Sequence, residues 1–488
     1  MRVVSIKEMA IRPSGLLSLL FFLVIITFTQ LQLAVASKRV VTSLPGFDGR
    51  LPFHLETGYV EVDEDNGAEL FYYFIQSEAA AGGDEETPFL LWLTGGHRCS
   101  VFSGLAYEIG PVRFVVAPYN GSLPRLRYDP NTWTKVSHIL FVDSPVGAGF
   151  SFSKHPKGYE VGDVLSSLQL HEFLIKWFSD HPEYLVNPFY IGGDSYAGKL
   201  VPFLTQKISE GIEARRWPLL NLKGYLVGNP MTGESIDISS KVPYAHGVGI
   251  ISSQMYETIS GHCQGEDYAN PANALCAQAL STFNNLLGEV QQGQILLDKC
   301  VFVSPGPNAN ITVDKSDGRK ILKEEIRKRQ LNHPPPSPPF GCFTYGYYLS
   351  YFWANDGRTR DALGIKKRSV DEWVRCHNGD LPYSFDIKSS ISYHRNITSK
   401  GYRALVYSGD HDLVVPHLGT QAWIRSLNFA VVDDWRAWHL DGQSAGFTVS
   451  YSNNMTFTTI KGGGHTAPEY EPERCLTMFK RWILNQPL

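Results

Sequence analysis

The chain has 488 residues, of which 43% are hydrophobic and 19% are charged. This composition is sufficient for a large folded core and excludes an extended disordered protein or a fibre. Its 44 basic and 48 acidic residues give a formal charge of -4, so the chain lacks the basic field that attracts nucleic acid.

The first 36 residues have the pattern of a secretory signal peptide. Positive charges precede an apolar run over residues 16–28, and small residues at 34–36 follow it. A membrane anchor is the alternative, but the unbroken run is shorter than the ~20 residues that a bilayer span needs. No later segment is apolar enough to span, so we expect no stable membrane association.

Short apolar runs alternate with helical patterns between residue 70 and about residue 230. This alternation is typical of a mainly parallel sheet with helices on both faces. Apolar residues at helical spacing between 165 and 178 supply one such helix. The predicted strands cover residues 70–75, 89–93, 138–142, 189–191 and 225–227.

The region 230–395 loses this alternation and carries five of the seven cysteines. We interpret it as an insertion that caps the sheet. Inside it, residues 304–340 contain proline-rich and charge-rich stretches that cannot build a packed core, which predicts an exposed, cleavable linker.

After the insertion, strand-like runs resume at 404–407 and 456–460, and residues 475–483 read as a closing helix. The predicted organisation is therefore a core split around its cap. Its parts are the signal peptide 1–36, a first core segment 37–229, the cap 230–395 and a second core segment 396–488.

Residues 190–198, with the sequence YIGGDSYAG, have the pattern of a nucleophile elbow. An apolar strand runs into small residues around Ser195, and apolar residues at helical spacing follow. Small neighbours permit a strained turn that raises a serine hydroxyl above the sheet, so Ser195 is the candidate nucleophile. Ala197 departs from G-x-S-x-G at the last position, and a turn that only joins strand to helix is the alternative.

A nucleophilic serine needs a histidine base and an orienting acid, which follow it in the order acid, histidine in this kind of fold. Asp410 and Asp412 come just after the strand at 404–407, and His465 comes just after the strand at 456–460. Each alone is compatible with a solvated loop residue. Their shared order and position favour a catalytic triad and leave the choice between the two aspartates open.

Five segments together resemble the serine carboxypeptidase-like family of α/β-hydrolases, from about residue 45 to the C terminus. The resemblance implies an α/β-hydrolase fold, with Ser195 as nucleophile, His465 as base and Asp412 as the orienting acid. This chemistry needs no metal and no organic cofactor. The five segments are LWLTGGHRCSVFSGLAYEIGP, ILFVDSPVGAGFSFS, YIGGDSYAGKLVP, LVYSGDHDLVVP and GGGHTAPEYEPERC.

The resemblance also implies an oxyanion hole made by the backbone N–H groups of Gly96 and Tyr196. Relatives read Gly-Gly-Pro-Gly-Cys-Ser in this loop, whereas this chain has His97 and Arg98 in place of the Pro and Gly. We expect this change to relax the loop and to add two bulky side chains beside the hole. A catalytically impaired binding protein is therefore one alternative.

Three further positions bear on the substrate. In peptidase members, an Asn and two Glu residues bind the C-terminal carboxylate of a peptide, and this chain has Thr94, Asp194 and Glu108 there. Threonine lacks the paired donor and acceptor of an amide, and aspartate is one methylene shorter than glutamate, so the carboxylate site should be weaker. Aspartate before the nucleophile resembles the plant acyltransferase branch.

The resemblance thus implies an acyl-serine enzyme. The favoured function is transfer of an acyl group from a 1-O-glucose ester to a hydroxyl or amine acceptor in plant secondary metabolism. The alternative is a serine carboxypeptidase that releases C-terminal amino acids from peptides at acidic pH. The signal peptide predicts a vacuolar or extracellular location.

The seven cysteines show no CxxC pair and no metal-ligand spacing, which indicates disulfides formed in an oxidising compartment. The resemblance implies the pairs Cys99–Cys342 and Cys263–Cys276 and leaves Cys300, Cys376 and Cys475 unassigned. Four sequons predict N-glycosylation, at Asn120, Asn310, Asn396 and Asn454.

Overall fold

One sheet of 12 strands organises the chain in this computed structural model, which describes residues 38–79, 86–300, 338–377 and 379–488. The predicted signal peptide 1–36, the linker over 304–337 and the sequon at Asn310 lie outside the described residues. The described residues from Arg39 onward form one compact unit.

The strands of the large sheet follow the order β1-β2-β3-β7-β4-β10-β11-β13-β16-β15-β14, with β8 paired to β3. Two small sheets pair β5 with β6 and β9 with β12. The strands are β1 Arg39–Val41, β2 Leu55–Asp63, β3 Ala68–Ile75, β4 Phe89–Leu93, β5 Val112–Phe114, β6 Leu126–Tyr128, β7 His138–Val142, β8 Phe152–Ser153, β9 Val161–Gly162, β10 Phe189–Asp194, β11 Leu222–Gly228, β12 Tyr383–Ser384, β13 Arg403–Gly409, β14 Val431–Leu440, β15 Gln443–Tyr451 and β16 Met455–Ile460.

The centre of the sheet is parallel and its two margins are antiparallel. Strands β7, β4, β10, β11, β13 and β16 are parallel to one another. Strands β1, β2 and β3 on one side and β15 and β14 on the other pair in antiparallel register, and β3 and β15 join the parallel centre in the same way. Parallel strands bring their carboxyl ends to one edge, where ligand sites of open α/β sheets form.

The helices cover both faces of the sheet. Residues along β4 alternate between two cores: Leu90 and Trp92 pack into one, and Phe89, Leu91 and Leu93 pack into the other. Burial on both faces explains why the central strands read as continuous apolar runs. The helices are α1 Asp163–Asp180, α2 Ala197–Glu213, α3 Ile236–Ser239, α4 Lys241–Gly247, α5 Ser253–His262, α6 Ala274–Leu287, α7 Tyr345–Asn355, α8 Gly357–Leu363, α9 Ile391–Ser399, α10 His417–Ser426, α11 Ala467–Tyr470 and α12 Pro472–Ile483.

Two helix sets account for the two cores. Helices α1, α2, α9 and α10 pack on one face, with Trp177 and Trp423 among the buried contacts. Helices α7 and α12 pack on the other, with Trp353 and Phe479 buried against it. A third apolar cluster joins α4, α5 and α6 and includes Leu413, which follows β13.

The strands predicted at 89–93 and 138–142 occur with those same bounds in the structure. The other predicted strands are present but longer. The extension of β10 to Asp194 brings the strand directly up to the candidate nucleophile. Sequence analysis did not predict β1, β2, β14 or β15, the strands at the margins of the sheet.

Three disulfides join Cys99 to Cys376, Cys263 to Cys276, and Cys300 to Cys342. The expected pairing of Cys99 with Cys342 is therefore wrong. The backbone around Cys99 forms an antiparallel bridge with that around Cys376, which brings their Cα atoms to 3.9 Å.

Cys342 instead lies beside Cys300, 42 residues earlier in the chain. Cys475 is buried in α12 and unpaired. In the part of the chain that the structure describes, no helix is both long and apolar enough to cross a bilayer. The sequon residues Asn120, Asn396 and Asn454 are exposed.

Candidate active site

Ser195 lies at the sharp turn between β10 and α2. Its φ is +54°, in the left-handed region that an L-residue occupies only under constraint. Its N–H donates to Gly228 O at 2.8 Å, and its carbonyl accepts from Met231 N at 3.0 Å. These two bonds fix the strained turn to the neighbouring strand end.

The small residues of the elbow are required by close packing. A Cβ on Gly193 would lie 2.5 Å from Leu93 O and 2.7 Å from the Ala197 methyl group. Ala197 therefore fits at the last motif position because Gly193 has no side chain.

Ser195, His465 and Asp412 form a continuous hydrogen-bond chain. His465 Nε2 lies 2.7 Å from Ser195 Oγ, and His465 Nδ1 lies 2.9 Å from Asp412 Oδ2. Asp410 does not contact this histidine; its Oδ1 accepts from Gly462 N at 2.7 Å. The geometry selects Asp412, and it is that of a hydroxyl activated by an imidazole whose second nitrogen is held by a carboxylate.

Asp412 is fully buried and bound on both oxygens. Its Oδ1 accepts from Val414 N at 2.7 Å, and its Oδ2 accepts from Val415 N at 3.1 Å. Asn229 Nδ2 also donates to Oδ2, at 2.8 Å. These donors orient the carboxylate toward His465.

Sequence analysis did not identify Asn229, which follows β11. Its φ is +42°, and its Oδ1 accepts from Gly409 N at 3.2 Å, so it connects two strand ends. The signal for this role was the Asn-Pro pair at the end of a predicted strand, because asparagine tolerates the left-handed conformation and its side chain can bind nearby backbone.

The loop after β4 approaches the nucleophile closely. A Cβ on Gly95 would lie 2.7 Å from Ser195 Cβ and 3.3 Å from Ser195 Oγ. Gly96 has φ +81°, and a Cβ there would lie 2.3 Å from Cys99 Sγ. Neither Gly96 N–H nor Tyr196 N–H donates to any described residue, which leaves both available to a developing oxyanion.

The two bulky residues of this loop have different environments. Arg98 is buried, and its guanidinium donates to Val146 O at 2.5 Å, Tyr159 O at 2.6 Å and Pro382 O at 2.5 Å. Burial lowers the pKa of Arg98 to about 10. Three backbone carbonyl groups thus hold the Arg98 guanidinium within the protein.

His97 lies among aromatic rings at the same loop. Its ring centroid is 5.8 Å from that of Tyr196, 4.9 Å from Tyr383 and 5.2 Å from Phe385. Burial, and then the Arg98 charge, lower the pKa of His97. The imidazole of His97 therefore flanks the residue whose N–H would complete the hole.

Thr94, Asp194 and Glu108 occur together on the other side of the loop. Thr94 Oγ1 donates to Glu108 Oε1 at 2.8 Å, and Trp92 Nε1 donates to Glu108 Oε2 at 2.9 Å. Gly95 N donates to Asp194 Oδ1 at 2.7 Å. Asp194 Oδ2 is buried and has no hydrogen-bond partner among the described residues.

Glu469 is a third carboxyl group of this cluster that sequence analysis did not identify. It lies in α11, just after His465, and its Oε2 accepts from Tyr347 at 2.6 Å and from Thr466 Oγ1 at 2.8 Å. Its position in the Pro-rich turn after the histidine gave no pattern that distinguishes it from a solvated glutamate.

Burial raises the pKa of all three carboxyl groups. The pKa of Glu469 rises to about 7, and that of Glu108 also rises. For Asp194, burial and then the neighbouring Glu108 charge raise the pKa well above its usual range. Burial and neighbouring negative charge both disfavour the ionised form of a carboxyl group.

No group of three or more His, Cys, Asp or Glu residues within the described ranges is arranged to hold a metal ion. The site is thus built from a serine, a histidine, an aspartate, two free backbone N–H groups and a cluster of carboxyl groups. Such an arrangement can attack an ester or amide carbonyl and protonate its leaving group.

Comparison with known proteins identifies the family. The serine carboxypeptidase family model matches residues 45–485. The chain is 46% identical over 459 residues to "Serine carboxypeptidase-like 19" of Arabidopsis thaliana, which covers 93% of this chain and 96% of the relative. It is 45% identical over 453 residues to "Serine carboxypeptidase-like 7" of the same plant, which covers 93% and 94% respectively.

Among solved structures, the chain resembles Kex1, a prohormone-processing carboxypeptidase from Saccharomyces cerevisiae. The TM-score is 0.69 at 18% identity, with 91% of this chain and 94% of that chain covered. This likeness confirms the predicted α/β-hydrolase fold. The chain belongs to the serine carboxypeptidase family and is a Ser-His-Asp enzyme of the hydrolytic or acyl-transfer type.

Proposed function

We propose that the protein transfers an acyl group from a 1-O-glucose ester to a hydroxyl or amine acceptor through an acyl ester on Ser195. The observation that carries this proposal is the hydrogen bonding of Thr94, Glu108 and Asp194 beside the nucleophile. When ionised, Glu108 and Asp194 offer acceptors to a substrate, and Thr94 has no spare donor because its hydroxyl is bound to Glu108.

With these acids ionised, the hydrogen-bonding groups of the cluster suit a hydroxyl-bearing ligand better than a carboxylate. The single hydroxyl proton of Thr94 is donated to Glu108, so nothing remains to bind a peptide carboxylate as an amide would. Asp194 Oδ2 has an unused lone pair among the described residues, which suits the hydroxyl of a sugar or an alcohol. A free carboxylate would meet like charges here when these acids are ionised.

The proposed reaction uses the triad twice. His465 Nε2 takes the Ser195 proton while Ser195 Oγ forms a bond to the acyl carbon, and the Gly96 and Tyr196 N–H groups stabilise the oxyanion. His465 then returns the proton to the departing glucose oxygen as the ester bond breaks. The acceptor hydroxyl then enters, gives its proton to His465 and attacks the acyl carbon. The bond from the acyl carbon to Ser195 Oγ breaks, and His465 returns the proton to Ser195 Oγ.

A serine carboxypeptidase is the second candidate, and membership of the family supports it. The carboxyl cluster favours it as well, because Glu108 and Glu469 would be protonated at acidic pH and could then donate to a peptide carboxylate. On this alternative, Thr94 and Asp194 would be tolerated substitutions and water would be the acceptor.

A competition experiment distinguishes the acyltransferase from the carboxypeptidase. The purified enzyme is given a panel of 1-O-acyl glucose esters, pooled plant alcohols and amines, and a blocked dipeptide, and products are read by mass spectrometry. Acyl transfer products with intact dipeptide support the proposal. Release of the terminal amino acid without transfer from any ester would overturn it in favour of the peptidase.

The double variant Thr94→Asn, Asp194→Glu tests whether these two residues select the substrate. The two changes restore the amide and the longer acid of the peptidase pattern, so we expect dipeptide hydrolysis to rise and transfer to fall by about tenfold each. Unchanged ratios of the two activities would show that these residues do not select the substrate.

The cellular route is also part of the proposal. We infer passage through the secretory pathway, with glycans at the exposed Asn120, Asn396 and Asn454 and cleavage within 304–340, and delivery to the vacuole or the extracellular space. The three disulfides support an oxidising compartment. Native protein that runs as one full-length band after reduction and lacks glycans would contradict this route.

A further inference from the structure

Four consecutive residues of the region between β11 and β13, Gln292–Ile295, lie directly against the loops that carry Asp412 and His465. We call these four residues the strap. They come from a part of the chain that supplies none of the three triad residues. Their hydrogen bonds are divided between the two loops, so a single short segment connects both.

The outer two residues of the strap bind on either side of Asp412. Leu413 N donates to Gln292 O at 2.9 Å, and Ile295 N donates to His411 O at 3.2 Å. The residues before and after the acid are therefore both fixed to the strap. A shift of the strap would move the carboxylate that holds His465.

The inner two residues bind the histidine loop. His465 N donates to Gly293 O at 2.7 Å, and Gln294 Nε2 donates to Gly462 O at 2.8 Å. Gly464 has no side chain at the point of contact, where a Cβ would lie 2.3 Å from Gly293 O. The carbonyl can reach the backbone of His465 because of this glycine.

The strap is itself held in place. Gln294 is buried, and its Oε1 accepts from Leu296 N at 3.1 Å, so both ends of its side-chain amide are bound. Ile295 packs on the apolar cluster of α4, α5 and α6 that also contains Leu413. A few residues further on, Cys300 is bound to Cys342.

The chain after Cys342 returns to the same loop. Phe343 stacks on Tyr470 with ring centroids 4.5 Å apart, and Tyr347 donates to Glu469. Both segments joined by the Cys300–Cys342 bridge therefore contact residues around His465.

We propose that the strap is a positioning element for the triad, and that Gln294 is its principal side chain, which sets the register between the Asp412 and His465 loops. The proposal rests on the assigned roles of Ser195, His465 and Asp412. It does not depend on whether water or an alcohol is the acceptor. Its effect should appear in the rate of attack by Ser195 and not in substrate affinity.

The test replaces Gln294→Met, which keeps the size and packing of the side chain and removes both hydrogen bonds. Gln291→Ala, one residue before the strap, is the matched control. The readouts are the second-order rate of Ser195 labelling by a fluorophosphonate, and kcat and KM with a p-nitrophenyl ester. We expect Gln294→Met to lower the labelling rate and kcat about tenfold, with KM changed less than twofold.

The pH dependence of labelling distinguishes positioning from simple loss of stability. If the histidine is displaced from Asp412, the apparent pKa of the pH–rate profile should shift in Gln294→Met and stay unchanged in Gln291→Ala. If Gln294→Met does not fold, Gln294→Glu, which keeps the bond from Leu296 N, takes its place.

Labelling at the wild-type rate and pH profile in a folded Gln294 variant would overturn the inference, as would an equal loss in Gln291→Ala. If the wild-type protein is not labelled at Ser195 at all, the triad assignment fails instead. The two failures are therefore distinguishable.

Discussion

The residues nearest the nucleophile leave little room for change, and Gly95 shows this most directly. A methyl group at this position would lie 2.7 Å from Ser195 Cβ, closer than packed atoms approach. Because the loop also carries Gly96, relief of this contact must move either the nucleophile or the oxyanion hole. Gly95 is thus required both for close packing against Ser195 and for the position of the oxyanion hole.

We predict that Gly95→Ala lowers kcat/KM by about 100-fold, the scale seen when an oxyanion donor is misplaced. Gly261→Ala is the control, since the space around Gly261 is open and the residue lies in α5. Steady-state kinetics on both variants, with circular dichroism to verify folding, provide the measurement. Full activity in Gly95→Ala would contradict the described approach of this loop to Ser195.

The triad residues could be predicted from the sequence because each follows an apolar strand. Their order along the chain, serine then aspartate then histidine, can also be read directly from the sequence. The partners of Asp412 were not predictable, since Asn229 lies 183 residues away and its contact depends on sheet order. The same is true of Glu469, whose significance comes from its burial. The burial of Arg98 was not predictable either, because sequence does not show which way a side chain points.

At the scale of elements, the buried central strands were predictable and the margins of the sheet were not. Strand β14 exposes most of its residues, so it has no alternation to detect. A signal was nevertheless present: Asp441 and Gly442, with φ of +49° and +73°, form the tight turn that joins β14 to β15. An Asp-Gly pair between polar strands is a hairpin signal in its own right.

The Cys99–Cys376 bridge fixes the oxyanion loop to the segment that carries Tyr383 and Phe385. We predict that the double change Cys99→Ser, Cys376→Ser lowers the free energy of unfolding by roughly 2–5 kcal/mol. It should also lower the labelling rate of Ser195 about tenfold, because the loop with Gly96 loses its covalent support.

The matched control is Cys263→Ser, Cys276→Ser, which removes a bridge that closes only 13 residues between α5 and α6. This pair should reduce stability without changing the labelling rate. Urea unfolding and fluorophosphonate kinetics measure the two effects separately. Equal labelling rates in both double variants would argue against a role of the first bridge in the site.

At the scale of the whole molecule, the carboxyl cluster links stability to pH. Burial raises the pKa of Glu469 from 4.5 to about 7, and the pKa values of Glu108 and Asp194 shift in the same direction. The folded protein therefore binds these protons more tightly than the unfolded chain. This contribution is fully present below about pH 4.5 and is lost as the pH rises toward 7.

We predict that Glu469→Gln, which stays neutral and can still accept from Tyr347, reduces this loss. The wild-type free energy of unfolding should fall more between pH 5 and pH 7 than that of the variant, by on the order of 1–3 kcal/mol. Glu473→Gln, at an exposed position of α12, serves as control. Urea titrations at both pH values that give the same decrease in all three proteins would refute the linkage.

The central claim is that catalysis passes through an acyl group on Ser195. The most direct measurement incubates the enzyme with a 1-O-acyl glucose ester without acceptor, quenches in acid, digests the protein and locates the added mass by peptide mass spectrometry. We expect the acyl mass on Ser195, its absence in Ser195→Ala, and its disappearance when an acceptor alcohol is added before the quench. Transfer product formed with the acyl mass on another residue would show that Ser195 is not the nucleophile.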